Sequence, residues 1–146
     1  MPLVSLPPSP PSLAQLLTLA TALSLGAAVS LGITRFAFGL LLPTMRADLG
    51  WSYTLAGAMN TLNALGYLIG AMLTPWLLKR YKPVALMVAG SLLASLFMAG
   101  SGFFTDASPL LAQRLLAGVA SALVFIAGGL LAARLGALDL AAWACF

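Results

Sequence analysis

Arg35 and Arg114 are the residues whose chemistry stands out, because each is the only charge in a long apolar run of the chain. Burying such a charge in a membrane costs about 2.5 to 3.5 kcal/mol on insertion scales. A guanidinium at depth therefore needs acceptors that lipid lacks and amide oxygens supply. Arg114 follows Pro109 by about 7.5 Å of helix, a depth from which a long side chain can snorkel to the headgroups, so an interfacial and a buried role are equally open. For Arg35 an inside position is expected. Were Leu13 to Thr34 the whole span, Phe36 to Met45 would form an apolar outer segment without shelter.

Asn60, Asn63, Tyr67 and Gly70 recur at i, i+3, i+7 and i+10, which stacks them on one helix face. Such a polar stripe serves either as glue between helices, helped by the small pair Gly66 and Gly70, or as the wall of a water-filled cavity. Arg114, Gly118, Ser121, Phe125 and Gly128 repeat the pattern on a later run. There the small residues are most simply packing positions, and only the arginine suggests a pathway. Arg35, Asn60, Asn63, Tyr67 and Arg114 are thus candidates for a substrate pathway, and Gly66, Gly70, Gly118 and Ser121 for helix packing.

The chain that carries these residues is 62% hydrophobic and 7% charged over 146 residues. Soluble domains run at about 45 to 50% apolar and about 25% charged, so the solvent is lipid. Seven basic residues against three acidic ones leave +4. They are too scattered for a nucleic-acid patch and read as loop charge. With no His, and with Cys145 as the one cysteine, zinc sites, bis-His haem, iron–sulfur clusters, disulfides and His-based nucleophilic triads cannot be assembled. No Gly-rich phosphate loop occurs either. Neither an enzyme nor a cofactor is expected.

The elements that must position the candidates follow from the uncharged runs. Residues 1–12 are proline-rich and are expected to form a disordered tail, and no Lys or Arg precedes Arg35, so a cleaved signal peptide is not expected. Residues 13–134 hold four runs long enough to cross a bilayer, expected as helices at about Leu16 to Leu42, Tyr53 to Leu78, Val84 to Phe104 and Pro109 to Ala133. In the last, Ser108 is the expected cap and Pro109 the first helical residue. Residues 135–146 are too short for another span and are expected as an interfacial stub or the start of a truncated helix. The fold class is all-α, a polytopic membrane helix bundle, because lipid tolerates no unpaired backbone and no alternating barrel strands occur. Lys79, Arg80 and Lys82 in one loop, with Arg134 after the last span, put that loop and both termini in the cytoplasm. Those three loop residues are read as topology determinants rather than as a ligand site.

Three stretches together resemble the major facilitator superfamily, and within it the YbfB/YjiJ-type branch of transporters. Gly32-Ile-Thr-Arg35-Phe36-Ala-Phe38 leading to Leu42-Pro43-Thr-Met45 is similar to that branch's first-helix signature. Asn63-Ala-Leu-Gly66-Tyr67-Leu-Ile-Gly70-Ala71 is similar to its second-helix pattern, and Arg114-Leu-Leu-Ala-Gly118-Val-Ala-Ser121-Ala122 to the superfamily's fourth-helix motif. In that motif the resemblance associates the arginine with proton coupling or substrate transfer. The loop after the second helix departs from the pattern. Thr74 and Pro75 stand where Asp and Arg are usual and Leu77 where Gly is, with only Lys79 and Arg80 matching the basic cluster.

The resemblance implies transmembrane transport of an unidentified small solute, in a bacterial inner membrane. The family fold has twelve helices in two halves, so a chain of four is expected to be an N-terminal fragment that does not transport alone, its tail after Gly136 reflecting a frameshift or early stop. The alternative is a non-transporting membrane remnant or an assembly subunit. A dimeric four-helix exporter is a third candidate, but that family uses a first-helix Glu and this chain has none. No acid lies inside a span, so a carboxylate relay cannot be built from these helices. The expected partners are the lipid bilayer, the solute, and either the absent helices or further copies of the chain.

Overall fold

A computed structural model describes residues 12–143. The expected tail lies outside the described residues apart from Ser12. That residue opens the first helix with a capping box, its Oγ accepting the Gln15 N–H at 3.3 Å while the Gln15 side chain accepts the Ser12 N–H at 2.9 Å. Helix α1 (Leu13–Ala27) passes without a break into a π-helical segment (Ala28–Ala37) and then into α2 (Phe38–Asp48), so the first run forms one continuous rod. Its lipid-facing hydroxyls are satisfied within the helix. Thr18, Thr21 and Ser24 each donate to the carbonyl four residues back at 2.8 Å.

The rod ends where Gly50 adopts φ +64°, the left-handed conformation that favours glycine. Trp51 N–H then donates back to the Arg46 carbonyl at 3.0 Å, the long bond of a Schellman stop. Ser52 caps α3 (Tyr53–Leu78), accepting the Leu55 N–H at 3.2 Å. A turn at residues 79–82 leads to α4 (Pro83–Gly100), whose proline takes the first helical position, and a 3₁₀ turn (Ser101–Phe103) leads to α5 (Ala107–Trp143). No strand occurs among the described residues, and the molecule is an all-α membrane helix bundle.

Three boundaries differ from expectation, the first being the rod, which runs on to Asp48 rather than ending near Leu42. Helix α5 begins at Ala107, so Ser108 lies in its first turn rather than at the cap, and Pro109 is its third residue. An N–H there would have no intrahelical partner, which is why proline is tolerated. Residues 135–143 continue α5 as helix rather than forming a separate stub, because nothing from Leu135 to Trp143 breaks a helix.

Helix α5 is the axis of the bundle. Of its most apolar window 44% is buried, against 22% for α3 and 17% for α4. Glycines make this possible. A Cβ on Gly66 would fall on the Leu115 carbonyl, one on Gly70 would meet the Val119 carbonyl at 2.7 Å, and one on Gly118 would meet the Tyr67 nitrogen at 2.8 Å. On the other flank, a Cβ on Gly90 of α4 would lie 2.9 Å from the Ala120 carbonyl. Backbones thus touch on both sides of α5, as small residues allow between membrane helices. Phe38 and Leu42 of α2 are sheltered by Trp51, Met59 and Leu110, which resolves why an apolar segment follows Arg35. Leu40, Leu68, Met72, Leu92 and Leu96 face outward, as a lipid surface requires.

Gly118→Leu is expected to destabilise the bundle by about 2 to 3 kcal/mol in detergent-unfolding titrations, because neither facing backbone can move aside cheaply. Gly57→Leu, where a Cβ meets nothing within 4 Å, is expected to stay within about 0.5 kcal/mol of the native chain.

Candidate functional site

Arg114 lies at the start of the third turn of α5, facing the rod, and only 1% of its surface is exposed. Its guanidinium has neutral partners. One terminal nitrogen donates to the Thr34 carbonyl at 2.6 Å, the other to the Met98 sulfur at 3.3 Å, and the Phe38 ring centroid lies 3.7 Å from the guanidinium carbon. Nε is buried without a partner. The headgroup-seeking geometry considered for this residue is therefore not adopted. The charge rests on a carbonyl, a thioether and an aromatic face, groups that attract a cation without neutralising it.

The same face of α5 engages the rod again two turns on. Ser121 and Thr34 hydroxyl oxygens lie 3.1 Å apart, and both hydroxyls donate to the Ser30 carbonyl. All three residues are fully or almost fully buried. This contact falls inside the π-helical segment. Side chains that insert into a helix's carbonyl ladder are one of the known causes of local unwinding, and here Arg114 and Ser121 address carbonyls one turn apart on the rod. On the opposite side Asn63 donates to the Arg114 main-chain carbonyl at 3.0 Å, so α3, α5 and the rod meet around one residue.

Arg35 follows Thr34 but its side chain is exposed. Its guanidinium lies 5.1 Å from the centroid of the half-buried Tyr67 ring, a cation–π distance, and Tyr67 in turn tilts at 54° against Phe125 with centroids 6.5 Å apart. Arg35 of the rod, Tyr67 of α3 and Phe125 of α5 thus form a second cluster beside the first.

Of the candidate pathway residues, Arg114 and Asn63 meet in the interior and Arg35 and Tyr67 meet at its edge, while Asn60 is exposed on α3 and joins neither. Gly66, Gly70 and Gly118 lie at the α3–α5 crossing, whereas Ser121 bonds to the rod. Lys79, Arg80 and Lys82 are exposed in their turn, with Arg80 4.9 Å from the Trp76 ring centroid. Residues overlooked in the sequence are Ser30, Thr34, Phe38, Met98 and Gln113. Gln113 is buried beside Arg114 and donates to the Phe97 carbonyl. A glutamine inside an apolar run was a readable signal. Among the described residues no group of three His, Cys, Asp or Glu is placed to hold a metal.

A family model described as "Uncharacterised MFS-type transporter YbfB" matches residues 27–141. No curated protein and no solved structure matches the chain. The matched span contains every residue of both clusters.

A buried charge without a counter-ion stabilises a fold little, and an apolar side chain of similar length is often tolerated in its place. Arg114→Met is therefore expected to unfold within about 1 kcal/mol of the native chain. Arg114→Ala, which leaves a void between three helices, is expected to lose about 2 kcal/mol or more in the same detergent titration.

Proposed function

The chain belongs to the YbfB-type family of major facilitator transporters, and on that premise we propose that its helices form one wall of a solute pathway through the membrane. The observation that carries this reading is Arg114, a cation held in the bundle interior by neutral groups in the rod, α4 and the Phe38 ring. Such a charge is costly to hold away from water, and ionisable groups inside membrane bundles mark pathways.

Arg35, Tyr67 and Phe125 give the wall its open face, and Asn60, seven residues before Tyr67 on α3, continues it about 10 Å along the axis. Arg114 and Asn63 lie behind that face, where Arg114 ties the rod to α5 and Asn63 ties α3 to α5. A change in the contacts of Arg114 would move the rod, and Arg35 with it. Because the open face is lined on one side only, a second set of helices must close it, from a further segment or another copy of the chain. The excess of basic residues at Lys79, Arg80, Lys82 and Arg134 supports a cytoplasmic position for that end of the bundle, in a bacterial inner membrane.

Alternating access requires two bundles moving about a midplane site. Liposomes holding the chain alone are accordingly expected to show no saturable solute flux. Cells expressing it joined to a second helical half are expected to show saturable uptake in a solute screen, reduced at least tenfold by Arg114→Met. Uptake unchanged by Arg114→Met would contradict the assignment of Arg114 to the pathway.

A further inference from the structure

The Arg35 cluster carries a cation with no acidic residue near it among the described residues. The three acidic residues are Asp48, Asp106 and Asp139. Asp48 lies thirteen residues beyond Arg35 on the rod, roughly 20 Å along its axis. Asp106 and Asp139 lie nineteen residues before and fourteen after Phe125 on the axis of α5, roughly 28 and 21 Å away. Tyr67 sits near the middle of α3, so the uncompensated charge is close to the midplane of the bundle. Its one described neighbour is an aromatic face, which leaves the N–H donors of the guanidinium edge available.

Beyond the Tyr67 ring, on the far side of Phe125, lies apolar space. Phe125, 42% exposed, borders both the Tyr67 ring and a cleft of about 440 Å³ lined by Ala20, Leu23, Ser24, Ala27 and Gly128, within the size range of small-molecule sites. The cleft runs from Phe125 between α1 and α5 and contains no charged residue. An occupant matched to both parts has one negative head and an uncharged, preferably aromatic body. The geometry points to a monoanionic organic acid, such as an aryl carboxylate, as the substrate class: its carboxylate pairs with the Arg35 guanidinium, and its body packs on Tyr67 and Phe125 toward the cleft. Arginine forks hold carboxylates with two parallel hydrogen bonds, and the aromatic faces fix the body at little entropic cost. This inference rests on the reading of the chain as one wall of a solute pathway and names what that wall selects.

The test uses the full chain in lipid nanodiscs, with radiolabelled benzoate, benzylamine and benzyl alcohol measured by equilibrium dialysis against empty discs. Benzoate is expected to bind saturably, and the amine and the alcohol are not. Arg35→Gln should weaken benzoate at least tenfold and Phe125→Ala at least threefold, while Arg35→Lys, which keeps the charge but loses the fork, should weaken it less than Arg35→Gln does. Circular dichroism verifies that each variant is helical, and because Arg35 and Phe125 are both exposed, neither change empties a packed position. Inorganic phosphate should compete no better than its ionic strength explains. Saturable benzylamine or benzyl alcohol binding that depends on Phe125 would overturn the anion class and leave the pathway reading standing. Benzoate binding insensitive to Arg35→Gln, or displaced by phosphate as well as by unlabelled benzoate, would overturn the assignment of the head and body sites. No saturable binding of any of the three would overturn the organic-acid class, while the pathway reading stands or falls separately on the uptake screen of the chain joined to a second helical half.

Discussion

Gly66, Gly70 and Gly118 let α3 and α5 touch backbone to backbone, and the remaining geometry follows from that contact. Apolar surface gains little by leaving lipid for a protein interior, so helices in a membrane associate through close packing and polar bonds. Removing the Cβ at three positions brings Asn63 within 3.0 Å of the Arg114 carbonyl and sets the Tyr67 ring against Phe125. Gly90 does the same for α4 on the other flank of α5. With both neighbours drawn in, the one remaining face of α5 presents Arg114 and Ser121 to the rod.

That face explains why the first run is not a uniform α-helix. Ser30 and Thr34 carbonyls accept from Ser121 and Arg114 as well as taking part in the rod's own ladder, and the ladder widens to π spacing over Ala28–Ala37. The interior arginine and the edge arginine are adjacent in effect, since Arg114 grips Thr34 and Arg35 is the next residue. Motion of one is transmitted to the other through a single peptide unit. On the proposed reading, such a wall would couple a buried charge, held by neutral acceptors, to an exposed charge that would meet the solute.

The bundle itself was legible in the sequence because uncharged runs of sufficient length have no other stable form in lipid. Gly66, Gly70 and Gly118 read as packing positions, but their spacing did not say which helix each would meet. Other features were hidden for physical reasons. Asn60 and Asn63 differ by only about 60° around α3, and which of them faces α5 depends on the partner, not on their spacing. Ser30 and Thr34 were inconspicuous because hydroxyls in membrane helices are ordinarily satisfied by their own backbone, as Thr18, Thr21 and Ser24 are. Nothing local distinguishes a hydroxyl that also bridges to another helix. The π segment was equally unreadable, since its cause is carried on α5, far along the chain.

The central claim is that the π segment of the rod is docked on α5 through Ser30, Thr34, Ser121 and Arg114. Paired cysteines at Thr34 and Ser121, in a chain whose Cys145 is replaced by serine, test it in native membranes under mild oxidation. The hydroxyl oxygens they replace lie 3.1 Å apart, so the account predicts rapid and nearly complete disulfide formation, with a control pair at Leu68 and Ser121 remaining reduced. Cross-linking of the Thr34 and Ser121 pair no faster than the control would contradict it.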